Sequence, residues 1–185
     1  MIDYRKLSTK DGFRNDKKKR TVTIMGDSMV NNVKAHKLKK RMNSNERVYV
    51  KAFPGATTED MCDYVRPSLK RNPDLIVLHV GTNNLRSESP AKRIAEDIIK
   101  LALNMKSNTN DVMVSGIVDR SDDVKLSAKA LQVNDILNEE CKMHSLHYIC
   151  NKNIDSGKHL NGGGLHFNHI GTAIFAKNLL ESINI

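Results

Sequence analysis

The sequence predicts a three-layer α/β/α sandwich built on a five-stranded parallel sheet. Three observations carry that expectation. Five short runs rich in β-branched and apolar residues recur along the 185 residues. Each is followed by a stretch with helical apolar spacing, and strand–helix alternation of this kind builds a parallel sheet with helices on both faces. The third run, "LIVLHV" at 75–80, is almost wholly apolar, as strands covered on both faces are. Right-handed crossovers and the flavodoxin-like strand order 2-1-3-4-5 are the commonest fit for five such units.

The elements follow in order. "TVTIM" (21–25) is the first strand, and the alternating "VYVKAF" (48–53) is the second. A helix should begin after Thr57 or Thr58, where Glu59 and Asp60 suit its first turn, and Pro67 should end or kink it. The third strand leads to a helix starting at Pro90, with Ile94, Ile98, Leu101 and Met105 on one stripe. "DVMVSGIV" (111–118) is the fourth strand, and Ala130, Val133, Leu137 and Cys141 mark the helix after it. "HYIC" (147–150) is a short fifth strand, and a last helix runs from about His169 to Ile183. Neither an internal repeat nor a second domain is visible.

Charge divides the chain into two parts. The net charge is +9, and residues 1–20 hold eight Lys/Arg against three Asp, a net of +5. Residues 1–20 therefore read as a basic arm or linker, and 21–185 as the folded domain. The arm, with Arg14, Lys17, Lys18, Lys19 and Arg20, suits an anionic partner such as RNA or a membrane surface, or is a solvated linker. Nucleic-acid binding by the folded part has little support, since Trp is absent and aromatics are sparse. The three cysteines, Cys62, Cys141 and Cys150, are scattered, which fits a reduced, intracellular protein and gives no zinc signature. No stretch approaches a membrane span, and "MIDYRKLSTK" lacks the apolar core of a signal peptide.

In open α/β sheets, sites form beyond the carboxyl ends of strands where the order reverses, here between strands 1 and 3. Gly26-Asp27-Ser28 follows strand 1, "FPGAT" with Gly55 follows strand 2, and "GTNN" with Asn83 follows strand 3. Each is ordinary alone: a turn, a strand end, a loop. Together they place Ser28 at a helix N-terminus, flanked by Gly55 and Asn83. The Ser28 N–H, the Gly55 N–H and the Asn83 amide could receive a developing oxyanion. A serine nucleophile needs a base. His36, His144 and His147 fall on helices or the start of strand 5, and His79 lies within strand 3 as a packed residue. His159, His166 and His169 remain, in or beside the irregular segment 151–168. A loop of that length is usually functional or disordered. His166, just before the last helix, is the best base. The three with Asp155 could instead ligate a metal, but their spacing matches no helical ligand pair, so no cofactor is expected.

These blocks resemble the SGNH (GDSL-like) hydrolase family. "GDS" at 26–28, "PGAT" at 54–57, "VGTNN" at 80–84 and "GGLHFNHIGT" at 163–172 match its four blocks in order. The resemblance implies metal-free hydrolysis of carboxylic esters, with Ser28 as nucleophile, Ser28, Gly55 and Asn83 as oxyanion donors, and His166 as base. Its substrates range over lipids, acetylated sugars and small esters. Two departures stand out. The family's Asp three residues before the His is Gly163 here, and Asn84 stands where an Asp is common. The expectation is therefore a Ser28–His166 dyad, with His166 Nδ1–H on a backbone carbonyl of the Gly-rich loop, or with Asp155 as a substitute acid. A narrower likeness joins "HVGTNNL" and "HLNGGGLHFNHIGTAIFAKNL" to the esterase domain of first-reading-frame proteins of non-LTR (LINE-type) retrotransposons. The function expected is a serine esterase for short-acyl, acetyl-like esters. The alternative is a weak or inactive module that docks lipid or RNA through its basic arm.

Overall fold

The computed structural model describes residues 19–185; arm residues 1–18, including Arg14, Lys17 and Lys18, lie outside the described residues. Five strands form one parallel sheet in the order β2-β1-β3-β4-β5. They are β1 (Arg20–Gly26), β2 (Glu46–Ala52), β3 (Leu75–His79), β4 (Asp111–Ser115) and β5 (His147–Ile149). Arg20, counted with the arm on charge alone, opens β1. Its guanidinium pairs with the buried Glu46 at 2.9 Å across the β1–β2 boundary. This carboxylate partner draws an arginine into the sheet.

Among the described residues, six α-helices flank the sheet: α1 (Ala35–Lys39), α2 (Thr58–Tyr64), α3 (Arg66–Leu69), α4 (Ala91–Lys106), α5 (Val124–Met143) and α6 (His169–Ile183). The strand alternation sorts apolar side chains onto two faces. Met25, Ile76, Leu78, Val112 and Val114 pack under α2, α4 and α5. Val22, Ile24, Leu75 and Val77 pack under α1 and α6. The α4 stripe Ile94, Ile98, Leu101 and Met105 is fully buried, worth about 1.5–3 kcal/mol per side chain.

Helix boundaries follow local chemistry. Thr57 caps α2 in a reciprocal box with Asp60. Pro67 occupies the first turn of α3, so the chain bends after Tyr64 instead of stopping. Pro90 is the cap residue of α4, one position earlier than the first-turn place its type suggests. The fourth strand ends at Ser115, short of the apolar run to Val118. Beyond it, the Gly116 carbonyl and the Ile117 backbone groups are taken by the side chains of Asn151 and Asn134.

A buried polar chain ties the strand ends to α6. His79 Nδ1 meets Ser115 Oγ at 3.0 Å, Asn151 donates to Ser115 Oγ, and Asn178 donates to Asn151. Every link is sequestered, where an unmade bond would cost most. No helix among the described residues is long and apolar enough to cross a membrane.

Candidate active site

The β1–Ser28 junction is set by a close approach. A Cβ on Gly26 would lie 2.0 Å from the His79 carbonyl oxygen, so only glycine lets β1 run against β3 here. The Asp27 N–H then donates to that same carbonyl at 3.2 Å. Ser28 opens a single 3-10 turn, Ser28–Val30, and not the N-terminus of the helix expected there, because α1 begins only at Ala35. The dipole at Ser28 is correspondingly short. Asp27 caps the turn, its Oδ1 accepting from the Met29 N–H at 3.0 Å.

Asp27 is completely buried, and its Oδ2 has no hydrogen-bond partner among the described residues. Burial raises its pKa from 3.8 to about 6, against the opposing pull of the Met29 N–H. His79, on the neighbouring strand, is also wholly buried, and burial lowers its pKa to about 4, so it is neutral near pH 7. It is a packed residue, edge-on to Phe175 at 4.9 Å.

The two flanking loops are joined to each other. Asn83 Nδ2 donates to the Ala56 carbonyl at 2.9 Å, which links the turn after β2 to the turn after β3. One Asn83 amide hydrogen is left over. The backbone N–H groups of Ser28 and Gly55 make no hydrogen bond among the described residues. Asn84 points away from the crevice. Its Oδ1 accepts from the Thr58 N–H and its Nδ2 donates to Thr58 Oγ1 and Glu59 Oε2, which fastens α2 to the β3 loop. An Asp there could accept but not donate.

His166 comes from the far edge of the sheet and reaches Ser28, its Nε2 lying 3.0 Å from Ser28 Oγ. Backbone contacts hold the segment that carries it. Leu160 and Phe167 form an antiparallel bridge, the Asn161 N–H donates to the His166 carbonyl at 2.7 Å, and Ser121 N–H donates to the Gly164 carbonyl. Gly164 has φ +66°, and a Cβ there would meet Asp122 N at 2.6 Å. Phe167 packs on Phe175 of α6, and Asn168 caps that helix.

The expected carbonyl partner of His166 is not in place: among the described residues His166 Nδ1 makes no hydrogen bond. Asp155 stays with its own turn. Its carboxylate accepts from the Gly157 N–H at 2.8 Å and faces Lys158 at 3.5 Å, and these hold it below the ordinary Asp value. Its backbone N–H donates to His159 Nδ1, so His159 is used locally. His169 is the first residue of α6. No group of three His, Cys, Asp or Glu among the described residues is placed to hold a metal ion.

Sequence reasoning left Asp27, Asn84 and the Ser121–Gly164 contact without roles. A carboxylate two residues before an N–H at a turn could have flagged Asp27 as a cap. The other two join residues 26 and 43 positions apart, and no local signal marks them.

Beyond the carboxyl ends of β1, β2 and β3, a serine beside an imidazole and unpaired N–H groups supplies what acyl transfer needs. The chain belongs to the GDSL-like lipase/acylhydrolase family, whose pattern matches residues 18–174. Solved structures agree in fold. A lipase/acylhydrolase from Enterococcus faecalis superposes with a TM-score of 0.77 at 19% identity, covering 89% of this chain and 95% of its own. An acetylxylan esterase from Geobacillus stearothermophilus gives 0.73 at 12%, covering 90% and 94%. A member of the lipolytic protein G-D-S-L family from Veillonella parvula gives 0.73 at 17%, covering 88% and 97%. A search of curated proteins finds no match.

Proposed function

We propose that the chain is a serine esterase that cleaves short-acyl, acetyl-like carboxylic esters through an acyl-Ser28 intermediate. The observation that carries this reading is the 3.0 Å separation of His166 Nε2 and Ser28 Oγ, within hydrogen-bond reach for proton transfer. His166 takes the Ser28 hydroxyl proton as Oγ attacks the ester carbonyl. The N–H groups of Ser28 and Gly55, with the spare Asn83 amide hydrogen, receive the oxyanion. His166 then gives the proton to the leaving alcohol. Water repeats the sequence on the acyl-enzyme and returns the carboxylic acid.

The preference for small acyl groups draws support from the acetylxylan esterase among the structural neighbours. The retrotransposon setting rests on the two sequence phrases alone, and none of the three neighbours named above bears on it. Ser28→Ala should abolish p-nitrophenyl acetate hydrolysis while leaving the melting curve unchanged. Full activity in that variant would remove Ser28 as nucleophile.

A further inference from the structure

The cations of the described chain are unevenly placed. Residues 34–51 hold seven Lys/Arg against one Glu, a net of +6, while residues 52–185 hold 15 against 16 Asp/Glu, a net of −1. The single Glu in that stretch, Glu46, is buried and taken by Arg20. Elsewhere cations sit beside carboxylates, as in Lys92–Glu96, Arg93–Asp97 and Lys177–Glu181. Among the described residues, no cation of 34–51 pairs with a carboxylate, and neither do Lys70 and Arg71.

The fold gathers part of this charge around aromatic rings. β2 is an edge strand, and Arg47, Tyr49 and Lys51 alternate onto one face of it, in register with Thr21, Thr23 and Met25 of β1. That corner is a crevice between the sheet and the end of α3, lined by Thr21, Thr23, Tyr49, Lys51, Ser68 and Arg71. Tyr49 is 41% exposed. Tyr64, at the end of α2, is 45% exposed and stacks on Phe53 with centroids 4.9 Å apart. Lys51 is pushed below the ordinary lysine value by burial and by the Arg71 charge. Like charges held this close repel one another and are relieved by an anion.

Positive charge on an edge strand also discourages strand pairing. That purpose accounts for Arg47 and Lys51. It does not account for an exposed Tyr49 between them, nor for Lys70 and Arg71 off the strand.

We infer that this edge of the sheet, along β2, is a docking surface for single-stranded nucleic acid, with Arg47, Lys51, Lys70 and Arg71 on phosphates and Tyr49 and, farther along the strand, Tyr64 as stacking platforms. Cations tracking a backbone beside aromatic faces is how unpaired strands are bound without sequence preference. A bilayer fits less well, because the exposed large apolar residues Val124, Leu131, Met143, Ile170 and Ile185 lie on other elements. The surface runs along β2, from Arg47 opposite Thr21 near the amino end of β1, past Tyr49 and Lys51, to Tyr64 stacked on Phe53 just beyond the carboxyl end of β2. The arm joins the sheet beside the Arg47 end of this surface, through Arg20 opposite Glu46.

The test is fluorescence anisotropy with labelled 20-mers of uridine and thymidine, using the full chain. Tyr49→Ala and Tyr64→Ala should each weaken binding about 5- to 100-fold. The Arg47→Glu/Arg71→Glu double variant should weaken it and flatten the log–log salt slope by about 1.4. All should keep wild-type p-nitrophenyl acetate hydrolysis, which reports that they fold. Equal effects on both oligomers assign the backbone and bases as the ligand; a loss confined to the uridine oligomer assigns the ribose hydroxyl a part. Three results would overturn the inference. The first is unaltered affinity in the tyrosine and arginine variants. The second is affinity lost only on Lys17→Glu/Lys18→Glu, which places binding in the arm. The third is binding to vesicles containing phosphatidylserine with none to either oligomer.

Discussion

In the proposed mechanism the chemistry turns on His166, whose imidazole is placed by backbone where the family pattern would use an acid. The Asn161 bond to its carbonyl and the burial of Phe167 set the ring's direction, while Nδ1 is left without a partner among the described residues. An acid at Nδ1 would fix the tautomer and stabilise the imidazolium. Gly163 has room for one: an added Cβ comes no closer than 3.4 Å, to Asn161 Oδ1. Gly163→Asp is therefore expected to raise kcat/KM for p-nitrophenyl acetate by about tenfold or more, bounded by the ~10⁴ that a triad acid supplies in a serine protease. A folded variant with no gain would show that the dyad does not lack orientation.

Asp27 and His79 make opposite contributions to acid stability. Asp27 has a raised folded pKa, so its contribution is fully present below about 4 and is lost as pH rises through about 6. His79 has a depressed one, so its contribution is present above about 6.5 and is lost as pH falls through about 4. The two offset each other across pH 4–6. Asp27→Asn removes one arm of that balance. The variant should gain on the order of 2–3 kcal/mol at pH 8 and should fall more steeply than wild type on acidification to pH 4.5. Urea midpoints at the two pH values check this, and parallel profiles would contradict it.

At the scale of elements, the site is a set of strand ends tied to one another. Asn83 joins the β2 and β3 turns, Asn84 joins the β3 loop to α2, and Ser121 joins the β4 loop to the segment carrying His166. The last tie depends on Gly164, whose φ of +66° disfavours a side chain. Gly164→Ala should cost about 1–2 kcal/mol, a Tm lower by about 2–8 °C in a domain of this size. It should also lower kcat/KM at least tenfold, since the clash with Asp122 pushes the loop from β4. A variant that melts early but keeps its kcat/KM would detach this contact from the positioning of His166. The elements themselves were legible in periodicity: the α4 stripe, the Thr57 cap and the all-apolar β3 are local patterns. The short turn at Ser28 was not, because its length depends on where α1 can seat Leu38 on the sheet.

For the whole molecule, Phe175 links stability to the site. Carried on α6 and fully buried, it contacts Phe167, one residue past His166, and His79. Phe175→Ala should destabilise by about 3–5 kcal/mol in urea unfolding and lower kcat/KM in the fraction that remains folded. A loss under 1 kcal/mol would mean that the site end of this core can repack. Charge acts at the same scale: the basic excess of 34–51, set against a net of −1 over 52–185, concentrates positive charge in and beside the edge strand β2.

The sequence by itself determined the α/β alternation and the strand order, and it picked out Ser28, Gly55 and Asn83 as candidates by a rule about strand ends and His166 by elimination among the histidines. Tertiary structure alone decided that His166 reaches Ser28 across 138 positions while Asp155 stays with Lys158. It also decided that Arg20 belongs to the sheet, and that Tyr49, Lys51 and Arg71 line one crevice. Those outcomes depend on which distant segments the folded chain brings within hydrogen-bond or packing distance. Periodicity carries no record of them, because it reports which face a residue takes and not what it meets there.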